Sequence, residues 1–144
     1  MADLGPGQRP IIMPSYPHLL AEDTQVWTKY LKSPITDMKR VWYDLHVGAP
    51  VWTGPGANAI DKKIAAGLTK KRIDVVASVG GGYWVIELKS VGNMFALGQA
   101  LAYSRLFKIE FNIYEEVWPV VICDDLDLDL IDDYDINSVA LIEV

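Results

Sequence analysis

Two runs of β-forming residues separated by consecutive glycines constrain this chain more than any other part of its sequence. The runs span residues 72–79 and 83–89, and residues 80–82 between them are all glycine. Glycine adopts the backbone conformations that a tight turn requires, while the β-branched and aromatic residues on either side favour extended strands. The pattern predicts a β-hairpin whose two-residue loop is formed by Gly80 and Gly81.

The register of this hairpin brings two acidic residues together. With that loop, Val79 pairs with Gly82, and Asp74 faces Glu87 directly across the two strands. Because side chains alternate along a strand, Asp74, Glu87 and Lys89 share one face. The opposite face is apolar and predicts a core surface made of Ile73, Val75, Ala77, Trp84, Ile86 and Leu88. Directly opposed carboxylates repel each other, so a cation between them would remove the conflict.

Two carboxylates and a neighbouring peptide carbonyl form an oxygen donor set that suits Mg²⁺ or Mn²⁺. These cations keep several waters and complete their coordination with substrate phosphate. Cys123 is the single cysteine, and the two histidines, His18 and His46, stand apart in the sequence, so no soft-metal cluster is indicated. Lys89 lies where it would position a water or offset charge on a phosphate in the transition state. Together these parts predict phosphodiester hydrolysis.

The same residues resemble the core motif of the PD-(D/E)XK nuclease superfamily. Asp74 is followed, after twelve residues, by Glu87-Leu88-Lys89, and Ile73 stands where the superfamily often has Pro. The resemblance implies that Asp74 and Glu87 bind Mg²⁺ or Mn²⁺ and that Lys89 is catalytic. It also implies a carboxylate from the first helix at the metal, for which Glu22 is the matching candidate and Asp23 its rival.

A second element of the resemblance follows the hairpin. The segment QALAY at residues 99–103 is similar to the Q-x-x-x-Y element of the RecB-like and Cas4-like exonuclease branches. Gln99 and Tyr103 lie one turn apart on one face of a predicted helix, and the resemblance adds both to the catalytic residues. The structural alternatives are a buried amide with an ordinary aromatic contact, and a surface strand in which Glu87 pairs with Arg72 or Lys89.

The rest of the chain predicts an α/β fold. The expected elements are a helix over 19–32, a strand over 41–47, the hairpin, a helix over 94–107, a strand over 117–123, a helical turn over 126–133 and a strand over 138–144, with a further short helix over 57–66. This pattern favours a mixed central β-sheet flanked by helices. The resemblance implies a restriction-endonuclease-like core in the order α-β-β-β-α-β.

The chain is expected to form one domain behind an N-terminal arm. Residues 1–18 contain four of the eight prolines and predict an extended arm, while residues 19–144 form a single nuclease-like domain. No apolar run approaches the ~18 residues that span a bilayer, and the first residues do not have the pattern of a signal peptide. We therefore expect a soluble, cytoplasmic protein with no membrane partner.

Charge is distributed unevenly along the chain. The formal net charge is −6, yet residues 1–109 contain all 13 Lys and Arg, and residues 110–144 contain 11 of the 19 acidic residues. A basic cluster precedes Asp74, and its simplest interpretation is a solvated face. If the chain is a nuclease, the cluster instead predicts contacts with nucleic-acid phosphates by Lys62, Lys63, Lys70, Lys71 and Arg72. The aspartates of residues 124–135 would repel the same phosphates, so they are expected to lie away from the site.

The function implied by the resemblance is that of a metal-dependent nuclease that hydrolyses phosphodiester bonds in DNA, a Mg²⁺- or Mn²⁺-dependent deoxyribonuclease. Small nucleases of this kind are typical of recombination, repair and phage or bacterial defence. The expected partners are DNA and either further copies of the chain or other proteins. Two alternatives stay open: a catalytically silent nuclease fold that binds nucleic acid or serves assembly, and an unrelated α/β interaction domain in which the motif arose by chance.

Overall fold

The structure, a computed structural model, describes residues 2–49, 55–56, 58–60 and 71–144. Within these residues the strands are β1 (Arg40–Val47), β2 (Lys71–Val79), β3 (Gly82–Gly92), β4 (Glu116–Leu126) and β5 (Ala140–Glu143). The helices are α1 (Ala21–Lys32), α2 (Met94–Glu110) and α3 (Ile131–Ile136), with a 3-10 turn, Leu128–Leu130, before α3. The predicted helix over 57–66 lies outside the described residues apart from 58–60, as do Lys62, Lys63 and Lys70.

All five strands form one sheet in the spatial order β1-β2-β3-β4-β5. The pairs β1–β2 and β2–β3 are antiparallel, whereas β3–β4 and β4–β5 are parallel. The predicted mixed sheet is therefore confirmed. No helix in the part of the chain that the structure describes is long and apolar enough to cross a bilayer.

Helices cover both faces of the sheet. On one face, α1 buries Val26, Trp27 and Tyr30 in a core shared with sheet residues that include Val75, Ala77, Ile86 and Leu88. On the other face, Phe107 of α2 packs against a second set, which includes Val47, Ile73, Val76 and Val85. The helix α3 packs on α2, where Tyr134 contacts a cluster with Ala96 and Ala100. The predicted α/β architecture follows from these three apolar contacts.

Local signals in the sequence account for the ends of the helices. The helix α1 ends at Lys32, two residues before Pro34, because proline cannot continue the helical hydrogen-bond pattern. The side chain of Asn93 accepts a hydrogen bond of 2.9 Å from the backbone N–H of Ala96 and caps the start of α2. This cap places α2 immediately after β3, so residues of the two elements share one end of the sheet.

The hairpin has the predicted register. Val79 pairs with Gly82, and the ladder continues to Val75 and Ile86. Gly81 adopts a φ of 87°, a conformation that favours glycine, which explains why the turn needs it. A Cβ atom on Gly82 would lie 2.0 Å from the backbone oxygen of Glu116, so glycine also allows β4 to approach β3 closely.

The predicted alternation of side chains is wrong at one position. Ile73 was expected on the same face as Val75 and Ala77, but it packs with Phe107 on the α2 face. The ladder between β1 and β2 skips the position opposite Asp74, where Asp44 has a φ of 54°. This interruption changes the face to which the following side chains point, and no propensity in the sequence announces it.

The N-terminal arm lies against β1. The backbone N–H of Gln8 donates to the oxygen of Val41 at 2.9 Å, and the N–H of Val41 donates back to Gln8 at 2.8 Å. Tyr16 is buried in the core beneath α1, and its hydroxyl lies 2.9 Å from that of Thr28. The described residues of the predicted arm are therefore packed against the body of the domain.

Candidate active site

Asp74 stands where the two strands of the hairpin separate. The regular ladder ends at Val75, and the next hydrogen bond toward β3 is made by a side chain, because the backbone N–H of Leu88 donates to Asp74 Oδ2 at 2.9 Å. Burial raises the pKa of Asp74, and the charge of Asp44 raises it further, while the hydrogen bond from Leu88 opposes the shift. The Asp74 carboxylate is thus held rigidly at the opening between β2 and β3.

Glu87 is the most deeply buried ionisable group near this opening, with 2% of its surface exposed. Burial and the nearby charge of Asp74 raise the pKa of Glu87 well above its usual range, and the two carboxyls are hydrogen-bonded to each other. In this hydrogen bond Glu87 is the donor and Asp74 the acceptor, which is the direction that raises the pKa of Glu87 and lowers that of Asp74. The predicted proximity of Asp74 and Glu87 is confirmed, and such deep burial rules out the surface-strand alternative for Glu87.

Lys89 and α1 complete the charged part of the site. Lys89 lowers the pKa of Asp23, of Asp74 and of Glu87, so its ammonium group lies close to all three carboxyls. Burial, followed by the charge of Asp74, raises the pKa of Asp23 to about 6. Glu22 is exposed and accepts a hydrogen bond of 3.2 Å from the hydroxyl of Ser90. Of the two candidates in α1 for a carboxylate at the metal, Asp23 is favoured because it is more buried than Glu22 and because the charge of Asp74 raises its pKa.

From the opposite layer, α2 contributes the Q-x-x-x-Y pair. Gln99 Nε2 donates to the hydroxyl of Tyr103 at 3.5 Å, a long hydrogen bond. Burial raises the pKa of Tyr103, the hydrogen bond from Gln99 opposes the shift, and the charges of Glu87 and Asp74 raise it further, so the hydroxyl lies in the electric field of both carboxyls. The structure therefore brings Gln99 and Tyr103 to the same site as the hairpin residues.

Two buried oxygen atoms at this site lack partners. Among the described residues, Glu87 Oε1 and Gln99 Oε1 have no hydrogen-bond partner. Buried acceptors without partners are rare in folded proteins, and each one costs about 1–3 kcal/mol. Within the same part of the chain, no group of three or more His, Cys, Asp or Glu side chains is arranged to hold a metal ion. The fit to a hard cation therefore rests on the opposed carboxyls of Asp74 and Glu87 and on the orphaned oxygen of Glu87.

The predicted nucleic-acid contacts can be placed for two residues. Lys71 is exposed at the start of β2, and Arg72, which is partly buried, forms an ion pair of 3.7 Å with Asp44. Asp44 was not predicted as part of any site. Its one signal was an acidic residue inside a run of strand-forming residues, and its position opposite Asp74 depends on the register between β1 and β2.

The acidic segment does not lie wholly away from the site. Because β4 is parallel to β3, Cys123 pairs with Lys89 and Asp125 pairs with Val91. Lys29 of α1 donates a hydrogen bond to Asp124. The expectation that residues 124–135 lie away from the candidate site is thus wrong for Asp124 and Asp125, because parallel strands end at the same edge of a sheet.

Comparison of the chain with protein-family models, with curated proteins and with solved structures found no match. The class that the fold and the site define is an α/β domain with a mixed five-stranded sheet. Its candidate site joins a buried acid pair and a lysine of the sheet to polar side chains from helices on both faces.

Proposed function

We propose that this protein is a Mg²⁺- or Mn²⁺-dependent nuclease of the PD-(D/E)XK type that hydrolyses phosphodiester bonds in DNA. The observation that carries the proposal is the burial of Glu87 against Asp74, with one carboxylate oxygen that has no hydrogen-bond partner among the described residues. A buried carboxyl is normally paired or coordinates a metal. Two such groups at one opening, beside a lysine, are what cation-assisted phosphoryl chemistry requires.

The order of elements supports the same proposal. The chain runs α1, β1, β2, β3, α2 and β4 before its last helix and strand, which is the order α-β-β-β-α-β of a restriction-endonuclease-like core. The acid pair lies on β2 and β3, the two inner strands of β1-β2-β3-β4, and one helix covers each face of the sheet. The proposed fold assignment thus rests on element order, the motif and the site together.

Each side chain has a distinct role in the proposed mechanism. Asp74 and Glu87 would hold the cation, and Asp23 of α1, whose pKa the charge of Asp74 raises, would face it from the helix. When bound, the cation would polarise a phosphoryl oxygen and lower the pKa of a bound water. Lys89, whose charge already acts on all three carboxyls, would orient the attacking water and offset the negative charge that develops on the phosphate.

The residues of α2 would shape the other wall of the site. Gln99 and Tyr103 are linked to each other, and the Gln99 carbonyl oxygen lacks a protein partner among the described residues, so it can accept a hydrogen bond from a water or a sugar hydroxyl. The Tyr103 hydroxyl, raised in pKa by its surroundings, stays protonated and can donate to a phosphate oxygen.

The test is hydrolysis of labelled DNA, presented in linear, circular, single-stranded and branched forms. We expect cleavage with Mg²⁺ or Mn²⁺, none in EDTA, and a loss of roughly 10²-fold or more in Asp74→Ala. Lys89→Met should retain cation binding and lose turnover, because the substitution removes the charge and keeps most of the stem. The matched control is Glu143→Gln, an exposed carboxyl on β5.

Full activity in EDTA or in Asp74→Ala would contradict the metal mechanism. Cation and DNA binding without any turnover would instead favour a silent nuclease fold that serves as a binding module. If neither binding nor turnover is found, the motif arose by chance and the proposal fails.

A further inference from the structure

A cluster of charged and imidazole groups borders the candidate site, and the proposed mechanism does not use it. His18 belongs to the N-terminal arm, Asp44 and His46 to β1, and Arg72 to β2. Arg72 Nη1 lies 3.2 Å from His18 Nδ1, and His18 Nε2 lies 3.2 Å from Asp44 Oδ2. Three chain segments that are distant in sequence thus meet through polar contacts.

The donors and acceptors of the neighbouring groups determine which ring nitrogen of His18 accepts a hydrogen bond and which donates one. A guanidinium has donors only, so His18 Nδ1 must accept from Arg72. The proton of the neutral ring is then on Nε2, which donates to Asp44. Both ring nitrogens are engaged although 61% of the His18 side chain is exposed. The imidazole therefore acts as a bridge from Asp44, whose side chain is 13% exposed, to the guanidinium of Arg72.

The backbone at this cluster is in an uncommon conformation. His18 has a φ of 59° and Asp44 a φ of 54°, in the left-handed region that favours glycine. Such conformations cost of order 1 kcal/mol or more each, and they are found where the surrounding structure holds them for function. The side chains of both residues lie outside the three hydrophobic clusters, so both are available for the polar contacts described above.

The cluster adjoins the acid pair directly. Asp44 sits between the ladder pairs that flank it, Tyr43 with Val75 and Leu45 with Ile73, and so lies opposite Asp74. Arg72 precedes Asp74 by two residues in β2. The Arg72 side chain is 38% exposed, so part of it is accessible to solvent two residues from Asp74.

We propose that Arg72 binds a backbone phosphate of the substrate next to the bond that is cut, and that His18 and Asp44 are the positioning residues that orient its guanidinium. This inference rests on the proposed function and makes the N-terminal arm part of the substrate site. The planar guanidinium matches phosphate oxygens, and orienting it in advance reduces the conformational entropy lost on binding. Asp44 is more buried than His18 and orients the guanidinium from its inner side. It therefore positions Arg72 without adding a second positive charge at the surface.

The experiment measures kcat and KM for hydrolysis of labelled DNA with Mn²⁺ over a series of salt concentrations. We expect Arg72→Gln to raise KM about tenfold and to reduce the log-log salt slope of kcat/KM by about one. Arg72→Lys should retain most of the slope while KM rises, because the charge remains and the planar fork is lost. His46→Gln is the matched control, since His46 Nε2 lies 3.6 Å from Asp44, beyond hydrogen-bond distance.

The decisive variant is His18→Gln, which replaces the imidazole with an uncharged amide. If His18 positions Arg72, His18→Gln raises KM and lowers the salt slope in the unmodified chain but has less than about a twofold effect on KM in Arg72→Gln. A purely structural role would lower the melting temperature and leave the slope unchanged. Hydrolysis with an unchanged slope, or equal effects in both backgrounds, would overturn this inference alone. Absence of hydrolysis by the unmodified protein would overturn the proposed function and this inference with it.

Discussion

Two carboxyl groups, those of Asp74 and Glu87, share a place from which water is largely excluded. Removing an ionised carboxylate from water costs several kcal/mol unless a charge or a set of hydrogen bonds replaces the solvent. In the structure the two groups are hydrogen-bonded to each other with Glu87 as the donor, so one proton lies between them. In the proposed mechanism a divalent cation would take the place of that proton.

Substitution of Glu87 by glutamine tests two things separately: how much the buried acid pair destabilises the metal-free protein, and whether Glu87 is needed for cation binding. We expect Glu87→Gln to raise the free energy of unfolding in EDTA at neutral pH by about 1 kcal/mol, because the amide can donate to Asp74 with no proton to take up. The same variant should gain no stability from Mn²⁺, whereas the unmodified protein should melt at a higher temperature with Mn²⁺. Chemical and thermal denaturation measure both effects. A less stable variant in EDTA would contradict this explanation of the buried pair.

The raised pKa values also predict how metal-free stability depends on pH. A carboxyl with a higher pKa in the folded protein binds its proton more tightly there than in the unfolded chain. Its contribution is complete below the unfolded pKa of about 4 and is lost as pH rises through the folded value, which for Asp23 is about 6. Stability in EDTA should therefore fall as pH rises from ~4 through ~6, and less steeply in Glu87→Gln. Equal slopes in the two proteins would contradict the assignment of a raised pKa to Glu87.

Among the elements, the hairpin was the most predictable from sequence and the first strand the least. The turn length determined the register of β2 and β3, and with it the meeting of Asp74 and Glu87, because one residue of slip would move every side chain to the other face. The position of Ile73 could not be predicted, since it depends on the break in β1 at Asp44. Neighbouring residues contain no signal for that break.

Long-range packing determines the other features that could not be predicted from the sequence. Whether Glu22 or Asp23 faces the acid pair depends on the rotation of α1, which is set by burial of Trp27 and Tyr30. The position of Asp124 beside the site depends on the parallel pairing of β4 with β3. Sequence periodicity predicts which residues are buried but does not determine which strand edge a helix crosses.

The close approach of β3 and β4 gives a prediction for the turn glycines. Gly82→Ala should destabilise the protein by about 2 kcal/mol or more, because the added Cβ would lie 2.0 Å from the backbone oxygen of Glu116. Gly80→Ala is the matched control, since a Cβ there meets nothing within 4 Å and its φ is not positive. Urea denaturation of the two variants measures the difference. Equal stabilities would show that β4 does not approach β3 at this point.

Over the whole molecule, the candidate site is the place where all layers of the fold meet. Asp23 comes from the helix on one face, Tyr103 from the helix on the other, and Asp74, Glu87 and Lys89 from the sheet between them. A cation held by the acid pair would therefore stabilise the entire domain rather than one loop. The negative charges of Asp124 and Asp125 would in turn favour cations at this end of the sheet.

The most direct test of this account is calorimetric titration of the intact protein with Mn²⁺. We expect saturable binding in the unmodified protein, its loss in Asp74→Asn and in Glu87→Gln, and its retention in Lys89→Met and in the control Glu143→Gln, with all variants folded by circular dichroism. No binding by the unmodified protein, or unchanged binding in Glu87→Gln, would contradict the claim that this buried acid pair is a site for a divalent cation.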